Sequence, residues 1–474
     1  MRVCLAILVA SIAIGACSTS PPELLPPPFG PDTSSPQPAR LFWPTGIAIA
    51  VHPQGQYLLV ANANFDHAFA GGAIYSLDVD ALLAQRGTVP FSPSFLRQRN
   101  AGAAMVGNYL GPLVLDPAGV NAYSGSRDTN RLNGVSIDPA TGALKCRTGA
   151  GTSPGPDCRS GIVDLGRLVN LEGPYGIAFG TSTPVGFPAP VSSLFVSPLI
   201  PHLDELSGGV AQLSSPVAVL NAADPSQLYF SAKATDPLNG SGIGAGPVVF
   251  EDVRRELILG GCYVRFPATT QGGQLTSGKC LTGSTSNLLR FLEVDAGSAG
   301  FSRIYDLGPD LRSNETVALE LAPTDPTTGN RTLYVAMRNP DLIAEIVLPS
   351  DPGLSPVVRR TTPLGPFPSQ IHRLDRPAGT AGSDLLAVTS GTLTVGNTTP
   401  ALVAIFDPAQ GRVVGQVERL GDTPFAMAQL PPKAGDASAK LFVSVFGSCR
   451  IAVVDVPYDR PWDVSVQALV GSCP

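Results

Sequence analysis

Charge is what this sequence has least of. Only 14% of the 474 residues are Asp, Glu, Lys or Arg, and the net charge is −6. No stretch gathers Lys and Arg, so the electrostatic footprint that nucleic-acid binding needs is missing, and that class is set aside. Tryptophan is scarce, with Trp43 and Trp462 alone. The four histidines, His52, His67, His202 and His372, stand apart without the i, i+2 or i, i+4 spacing of a metal pair, and each reads as a surface or turn residue. No Cys-x-x-Cys occurs. The one extended apolar run, Val3 to Ile14, falls well short of the roughly twenty residues a bilayer-spanning helix needs.

That run has the size of a signal-peptide core, follows Arg2, and leads into Ile14-Gly15-Ala16-Cys17. The tetrapeptide resembles the bacterial lipobox: an aliphatic residue, two small residues that fit a peptidase, and a cysteine whose thiol takes the lipid. The resemblance implies removal of residues 1–16, lipidation of Cys17 and a tether of two or three acyl chains, enough for stable anchoring. The mature chain would carry −7, since Arg2 is the only charge removed. Ser18, where Asp would mark retention in the enteric sorting pattern, points to the outer membrane of a bacterial cell envelope. Residues 17–40 contain eight prolines between Pro21 and Pro38 and read as an extended, solvated spacer. Residues 41–474 read as one domain.

Of eight cysteines, six remain once Cys4 and Cys17 are set aside. An even number in an exported chain reads as disulfides. Six allow fifteen pairings, and spacing favours local ones: Cys146–Cys158 around a Gly/Pro-rich loop, Cys262–Cys280 about Gln271, and Cys449–Cys473 across the open end of a hairpin turning near Pro461.

Gly and Pro are abundant (51 and 47) but scattered between β-rich runs, which suits many short strands and turns. A four-part unit recurs. It opens on a Pro-led run, as in Pro44-Thr-Gly-Ile-Ala48, Pro174-Tyr-Gly-Ile-Ala178, Pro368-Ser-Gln-Ile371 and Pro424-Phe-Ala-Met-Ala428. A stronger β run follows, such as Leu333-Tyr-Val335 or Leu441-Phe-Val443, then an alternating run ending in Asp, such as Ile74-Tyr-Ser-Leu-Asp78. Closers read Asp164-Leu-Gly166, Asp306-Leu-Gly308, Leu364-Gly365 and Leu420-Gly421. A period of roughly 55–70 residues with four strands per unit predicts an all-β fold, a β-propeller of seven four-stranded blades. Units begin near 41, 109, 171, 241, 313, 366 and 421, with Leu228-Tyr-Phe230 as the outer strand of the third. Leu58-Leu-Val-Ala-Asn62 followed by Gly72-Ala-Ile-Tyr-Ser-Leu-Asp78 resembles the repeat of the YVTN/NHL-type bacterial propellers. That group holds binding modules, surface proteins and lactonase-like enzymes, so the resemblance implies a fold and leaves the activity open.

No catalytic constellation emerges. Gly151-Thr-Ser153-Pro-Gly155 matches G-x-S-x-G but sits in a Pro/Gly loop with no helix to follow. Gly240-Ser-Gly242-Ile-Gly244-Ala-Gly246 resembles a phosphate loop only in its glycines. Polar residues after second strands would gather at one end of the channel: Asn62, Asn64, Asp66, His67, Arg127, Asp128, His202, Asp204, Arg338, Asn339, Asp341 and Arg450. They form a candidate funnel for a small ligand or an envelope protein. The expectation is a monomeric, lipid-tethered binding or scaffolding propeller with neither cofactor nor metal. The alternative is a lactonase-like hydrolase, with Ca²⁺ held by Asp66, Asp128, Asp204 and Asp341. A quinone-cofactor dehydrogenase is weaker still, because the tryptophan docking repeat is missing.

Overall fold

A computed structural model describes residues 26–28, 40–98, 101–153, 155–205, 211–233, 244–261, 263–266, 276–279, 289–295, 302–304, 315–338, 341–378, 382, 384–391 and 401–473. The first blade is built from β1 (Pro44–His52), β2 (Gly55–Asn62) and β3 (Gly72–Asp78). After β3 the chain forms a short helix, α1 (Val79–Leu83), and a three-residue strand, β4 (Gly87–Val89), before β5 (Ala103–Val106) completes that blade. The second holds β6 (Val114–Leu115), β7 (Asn121–Ser126), β8 (Arg131–Ile137), β9 (Leu144–Thr148), β10 (Gly151–Ser153) and β11 (Val163–Asp164). The third is β12 (Glu172–Ser182), β13 (Val191–Ile200), β16 (Pro216–Asn221) and β17 (Leu228–Lys233), with the hairpin β14 (His202–Glu205) and β15 (Ala211–Ser214) inserted. The fourth is β18 (Val248–Glu251), β19 (Glu256–Leu259), β22 (Arg290–Glu293) and β23 (Ser302–Ile304), with the inserted pair β20 (Tyr263–Phe266) and β21 (Thr276–Lys279). Then come β24 (Glu315–Leu321) to β27 (Val357–Pro363), β28 (Pro368–Leu374) to β31 (Arg412–Glu418), and β32 (Pro424–Gln429) to β35 (Ser465–Val470). The chain is a seven-bladed β-propeller.

The reason for closure is written in the packing. Strand side chains alternate between faces, and here both faces are covered. Leu58 and Val60 of β2 pack with Phe442, Ile451 and Val453 of the seventh blade, while Leu59 and Ala61 pack with Ala122 and Val135 of the second. Five further buried clusters join the remaining neighbours, so each of the seven blade–blade interfaces holds its own core. An open row would leave two such faces in water.

The Pro-led motif also acquires a physical meaning. In five blades the first strand is irregular at this point, with register shifts after Pro44, Pro174, Thr316, Pro368 and Pro424. A bulge bends the strand at the channel wall. Gly46 and Gly176 sit where the next blade crowds in: a Cβ would lie 2.6 Å from Leu113 N in one case and 2.6 Å from Gly246 O in the other. Before the proline, Trp43, Phe367 and Thr423 adopt φ of 55°, 54° and 57°. Proline disfavours the right-handed helical region for its predecessor, and here the left-handed region turns the chain into the first strand.

Two features close the ring. β4 leaves the first blade and joins the outer strand of the last in parallel, Gly87 opposite Ala468 and Val89 opposite Val470. Gln467 Nε2 donates to Leu83 O at 2.6 Å beside it. Cys449 and Cys473 form a disulfide, which ties the chain end to the loop between β33 (Ser438–Val445) and β34 (Arg450–Pro457). Cys146 and Cys158 form the second. Cys262, Cys280 and Cys17 lie outside the described residues, as do Gly240 to Ile243.

Several local expectations are corrected. Asp164-Leu-Gly166 is not a closing strand: only Val163 and Asp164 pair with β8, and Asp164 then caps a short helix, α2 (Leu165–Val169), accepting from Arg167 N at 2.9 Å. Gly151–Ser153 is a strand paired with β9 rather than open loop. Pro27 and Pro28 are buried, and the Tyr75 hydroxyl donates to Pro28 O, so this part of the spacer lies against the first blade instead of in solvent. His372 sits on β28 and His52 on β1, neither of them in a turn.

Candidate ligand site at the channel mouth

Antiparallel alternation puts the second-to-third-strand loops and the blade-to-blade connections at one end of the ring, here called the upper end. Below it, the first strands enclose a cavity of 340 Å³, within the range of small-molecule sites. Side chains from all seven blades reach its wall. The residue after the motif proline faces it in four blades: Thr45, Tyr175, Ser369 and Phe425. Three residues further along, where the first, third and seventh blades carry Ala48, Ala178 and Ala428, the fifth and sixth carry Glu320 and His372, and both line the cavity.

The predicted funnel residues divide into several groups. Asn62 and Asn64 are fully buried and spend their amides locally. Asn62 Oδ1 accepts from Phe42 N at 3.1 Å. Asn64 Oδ1 accepts from Phe69 N at 3.1 Å, and its Nδ2 donates to Asn108 Oδ1 at 2.7 Å. Asp66 is exposed and holds a turn through Ala68 N at 3.3 Å. Asp128 is fixed by Asn108 Nδ2 at 2.9 Å and Ser126 Oγ at 2.7 Å. Arg450 Nε donates to Gly471 O at 3.1 Å, next to the closing disulfide. His202 Nδ1 is 2.6 Å from Glu172 Oε1, on the inserted hairpin that also carries Asp204. Asp341 lies in the turn just before the third strand of the fifth blade, which begins at Leu342, and Asn339 lies outside the described residues.

Three of the predicted residues do converge. Arg127 lies over the rings of both Tyr109 and Tyr175, 5.7 and 5.8 Å from their centroids. Its Nε donates to Tyr109 O at 3.0 Å. Arg338 lines the cavity and donates from Nε to Pro368 O at 2.8 Å. Burial pushes the Tyr175 phenol up, and the charges of Arg127 and Arg338 both act in the opposite direction on it. His67 Nε2 meets the Tyr109 hydroxyl at 2.7 Å. Around this group stands an aromatic rim of Trp43, Phe65, Tyr109 and Phe446, with Phe65 48% exposed.

Sequence reasoning missed Tyr109, Tyr175, Glu320 and His372 as site residues. The signal was available in the aligned motifs: in Pro-x-Gly-Ile-Ala the variable second position faces the cavity, and so does the fifth where it is large. A groove of 870 Å³ also opens between the sixth and seventh blades, beside Trp462, but its arginines are engaged. Arg376 donates to Tyr458 O at 3.3 Å, Arg412 to Gln410 at 2.9 Å, and Arg460 pairs with Asp463 at 3.3 Å.

Among the described residues no three His, Cys, Asp or Glu side chains come close enough to hold a metal ion. Asp66, Asp128 and Asp341 belong to no such group, and the side chain of Asp204, the fourth residue of the calcium alternative, lies outside the described ones.

No protein-family model matches the chain, and no curated protein matches it. Among solved structures it is similar to the periplasmic gluconolactonase of Pseudomonas aeruginosa, with 13% identity, 90% of this chain and 96% of that one covered, and a TM-score of 0.44. It is similar to the Swd1 β-propeller domain of Myceliophteria thermophila (10%, 88% and 98%, TM-score 0.46). It is also similar to a functionally unknown protein from Desulfotomaculum acetoxidans (11%, 84% and 96%, TM-score 0.43). At these levels the likenesses carry no argument about activity, and the fold assignment rests on the sheets and their closure.

Proposed function

We propose that this propeller is a non-enzymatic ligand-binding module of the bacterial cell envelope, tethered by lipid on Cys17 and taking its ligand at the upper end of the central channel. One observation carries the binding reading. The cavity is reached from every blade, and its mouth gathers Tyr175, Arg127 and Arg338 within an aromatic rim. Aromatic faces and a few fixed polar groups around a concavity are what a small-molecule site needs. The lipobox-like Ile14-Gly15-Ala16-Cys17 supports the tether, and the proline-rich segment behind it supplies reach from the membrane.

Ligand-observed NMR against a panel of neutral and charged metabolites tests the site. Ligands that bind the parent should lose binding in Tyr175→Ala, whose truncation removes one wall of the mouth. A panel that binds nowhere, or binds equally well to that variant, refutes the site. Fractionation tests the tether. Cys17→Ala should move the protein from the membrane to the soluble fraction, and continued membrane retention would contradict lipidation at this residue.

A further inference from the structure

Two arginines stand near Tyr175 at the mouth of the channel. The chain is acidic, yet Arg127 of the second blade lies over the Tyr175 ring, 5.8 Å from its centroid, and Arg338 of the fifth blade lines the same cavity as Tyr175. Neither arginine has a carboxylate within ion-pairing distance among the described residues. Each spends only Nε, on Tyr109 O at 3.0 Å and on Pro368 O at 2.8 Å. Elsewhere in the same protein arginines near carboxylates pair with them: Arg254 with Glu256 at 2.7 Å, and Arg159 with Asp157 at 2.7 Å. Anchoring Nε on a carbonyl fixes the plane of each guanidinium and leaves its η nitrogens as donors. Stacking of Arg127 over two rings restricts it further. A guanidinium held in this way is preorganised for a planar or tetrahedral oxyanion, which it meets with parallel N–H bonds.

Resting on the binding reading above, we infer that the channel mouth selects a small organic anion, a carboxylate or phosphate held between the guanidiniums of Arg127 and Arg338 with the Tyr175 hydroxyl as a third donor. The cavity of 340 Å³ sets the size. Glu315 also lines it, opposite Arg338 in the strand pairing, and is not free. Glu320 and His372 stand deeper, four positions beyond the motif's start, so the body of the ligand would meet them after its anionic end is seated.

Isothermal titration with succinate, citrate and glycerol 3-phosphate, with glycerol as the neutral control, decides the matter. The first two probes stand for carboxylates and the third for phosphate esters, so the arm that binds identifies the oxyanion. At least one anion should bind and glycerol should not. Binding should weaken with added salt, because the attraction is between charges. Arg127→Gln and Arg338→Gln should each lower the affinity at least tenfold while melting as the parent does. Where either variant fails to fold, the corresponding lysine takes its place; lysine keeps the charge but loses the fork, and weakened binding is expected there too. Full anion affinity in the folded variants overturns the inference. So does an NMR panel whose Tyr175-dependent ligands are all neutral, and in that case the binding reading stands. A parent protein that binds no ligand of any charge overturns both.

Discussion

At the scale of single residues, the repeated motif is a record of how closely blades approach. Proline opens the motif in the first, third, sixth and seventh blades, the next side chain turns into the channel, and in the first and third a glycine makes room for the following blade. The glycine is needed for space, since Gly176 has neighbours of three kinds at short range. The methyl carbon of an alanine there would lie 2.6 Å from Gly246 O and Ser197 Oγ and 2.7 Å from Val248 Cγ1. Two of these neighbours are backbone or branched side chain and cannot swing away. Gly176→Ala should therefore cost about 1–3 kcal/mol, the range for overpacking a tight site. Gly155→Ala, where a Cβ meets nothing within 4 Å, serves as its control and should leave stability unchanged. Chemical denaturation of both variants checks the pair, and equal midpoints would remove close approach as the reason for the motif. The same reading explains why the site was only half legible. Arg127 and Arg338 stood out as charges after second strands. Tyr175 was hidden because its position carries Thr, Tyr, Ser or Phe in different blades, and only the bulge shows which way it points.

At the scale of elements, the starts of the blades were readable because proline and the β-rich run after it mark them. The units expected near 41, 171, 366 and 421 begin at Pro44, Glu172, Pro368 and Pro424. The closing strand was not readable. β4 is only Gly87–Val89, too short to show a period, and its partner lies almost four hundred residues away, so nothing local announces it. The outer edge of the second blade was misread for a related reason: Asp164-Leu-Gly166 looks like other closers, but Asp164 can cap a helix and does. The disulfides sit differently with respect to these elements. Cys449–Cys473 encloses 24 residues and secures the blade that closes the ring, whereas Cys146–Cys158 encloses 12 within one blade. Loop-closure entropy alone makes the longer bridge worth about 0.6 kcal/mol more, on a base of about 2–4 kcal/mol. Loss of ring closure adds to that, because β35 would lose its restraint beside β4. Cys473→Ser with Cys449→Ser should thus lower the unfolding free energy more than the corresponding double change at Cys146 and Cys158. The opposite order in denaturant midpoints would show that the clasp bears little of the ring's stability.

At the scale of the whole molecule, two blades place opposite kinds of ionisable group at the same repeat position, and their effects on stability should offset each other. Burial raises the Glu320 carboxyl from 4.5 to about 7, against the Arg373 N–H and its charge, with Asp375 adding to the rise. Burial lowers His372 from 6.5 to about 4, with Asp375 opposing and Arg373 assisting. Between pH 4.5 and 7 the folded protein holds more of the glutamate proton than the unfolded chain does, so Glu320 makes stability fall as pH rises. Between pH 4 and 6.5 the folded protein holds less of the histidine proton, so His372 makes stability rise with pH. Over their common window, pH 4.5 to 6.5, the slopes have opposite sign. Replacing one partner exposes the other. Relative to the parent, Glu320→Gln should gain stability as pH increases through that window, and His372→Gln should lose it. The remaining carboxylates titrate alike in all three proteins and drop out of the differences. Urea denaturation at pH 4.5, 5.5, 6.5 and 7.5 gives the curves. If both variants run parallel to the parent, the two side chains are hydrated in the channel and do not couple to folding.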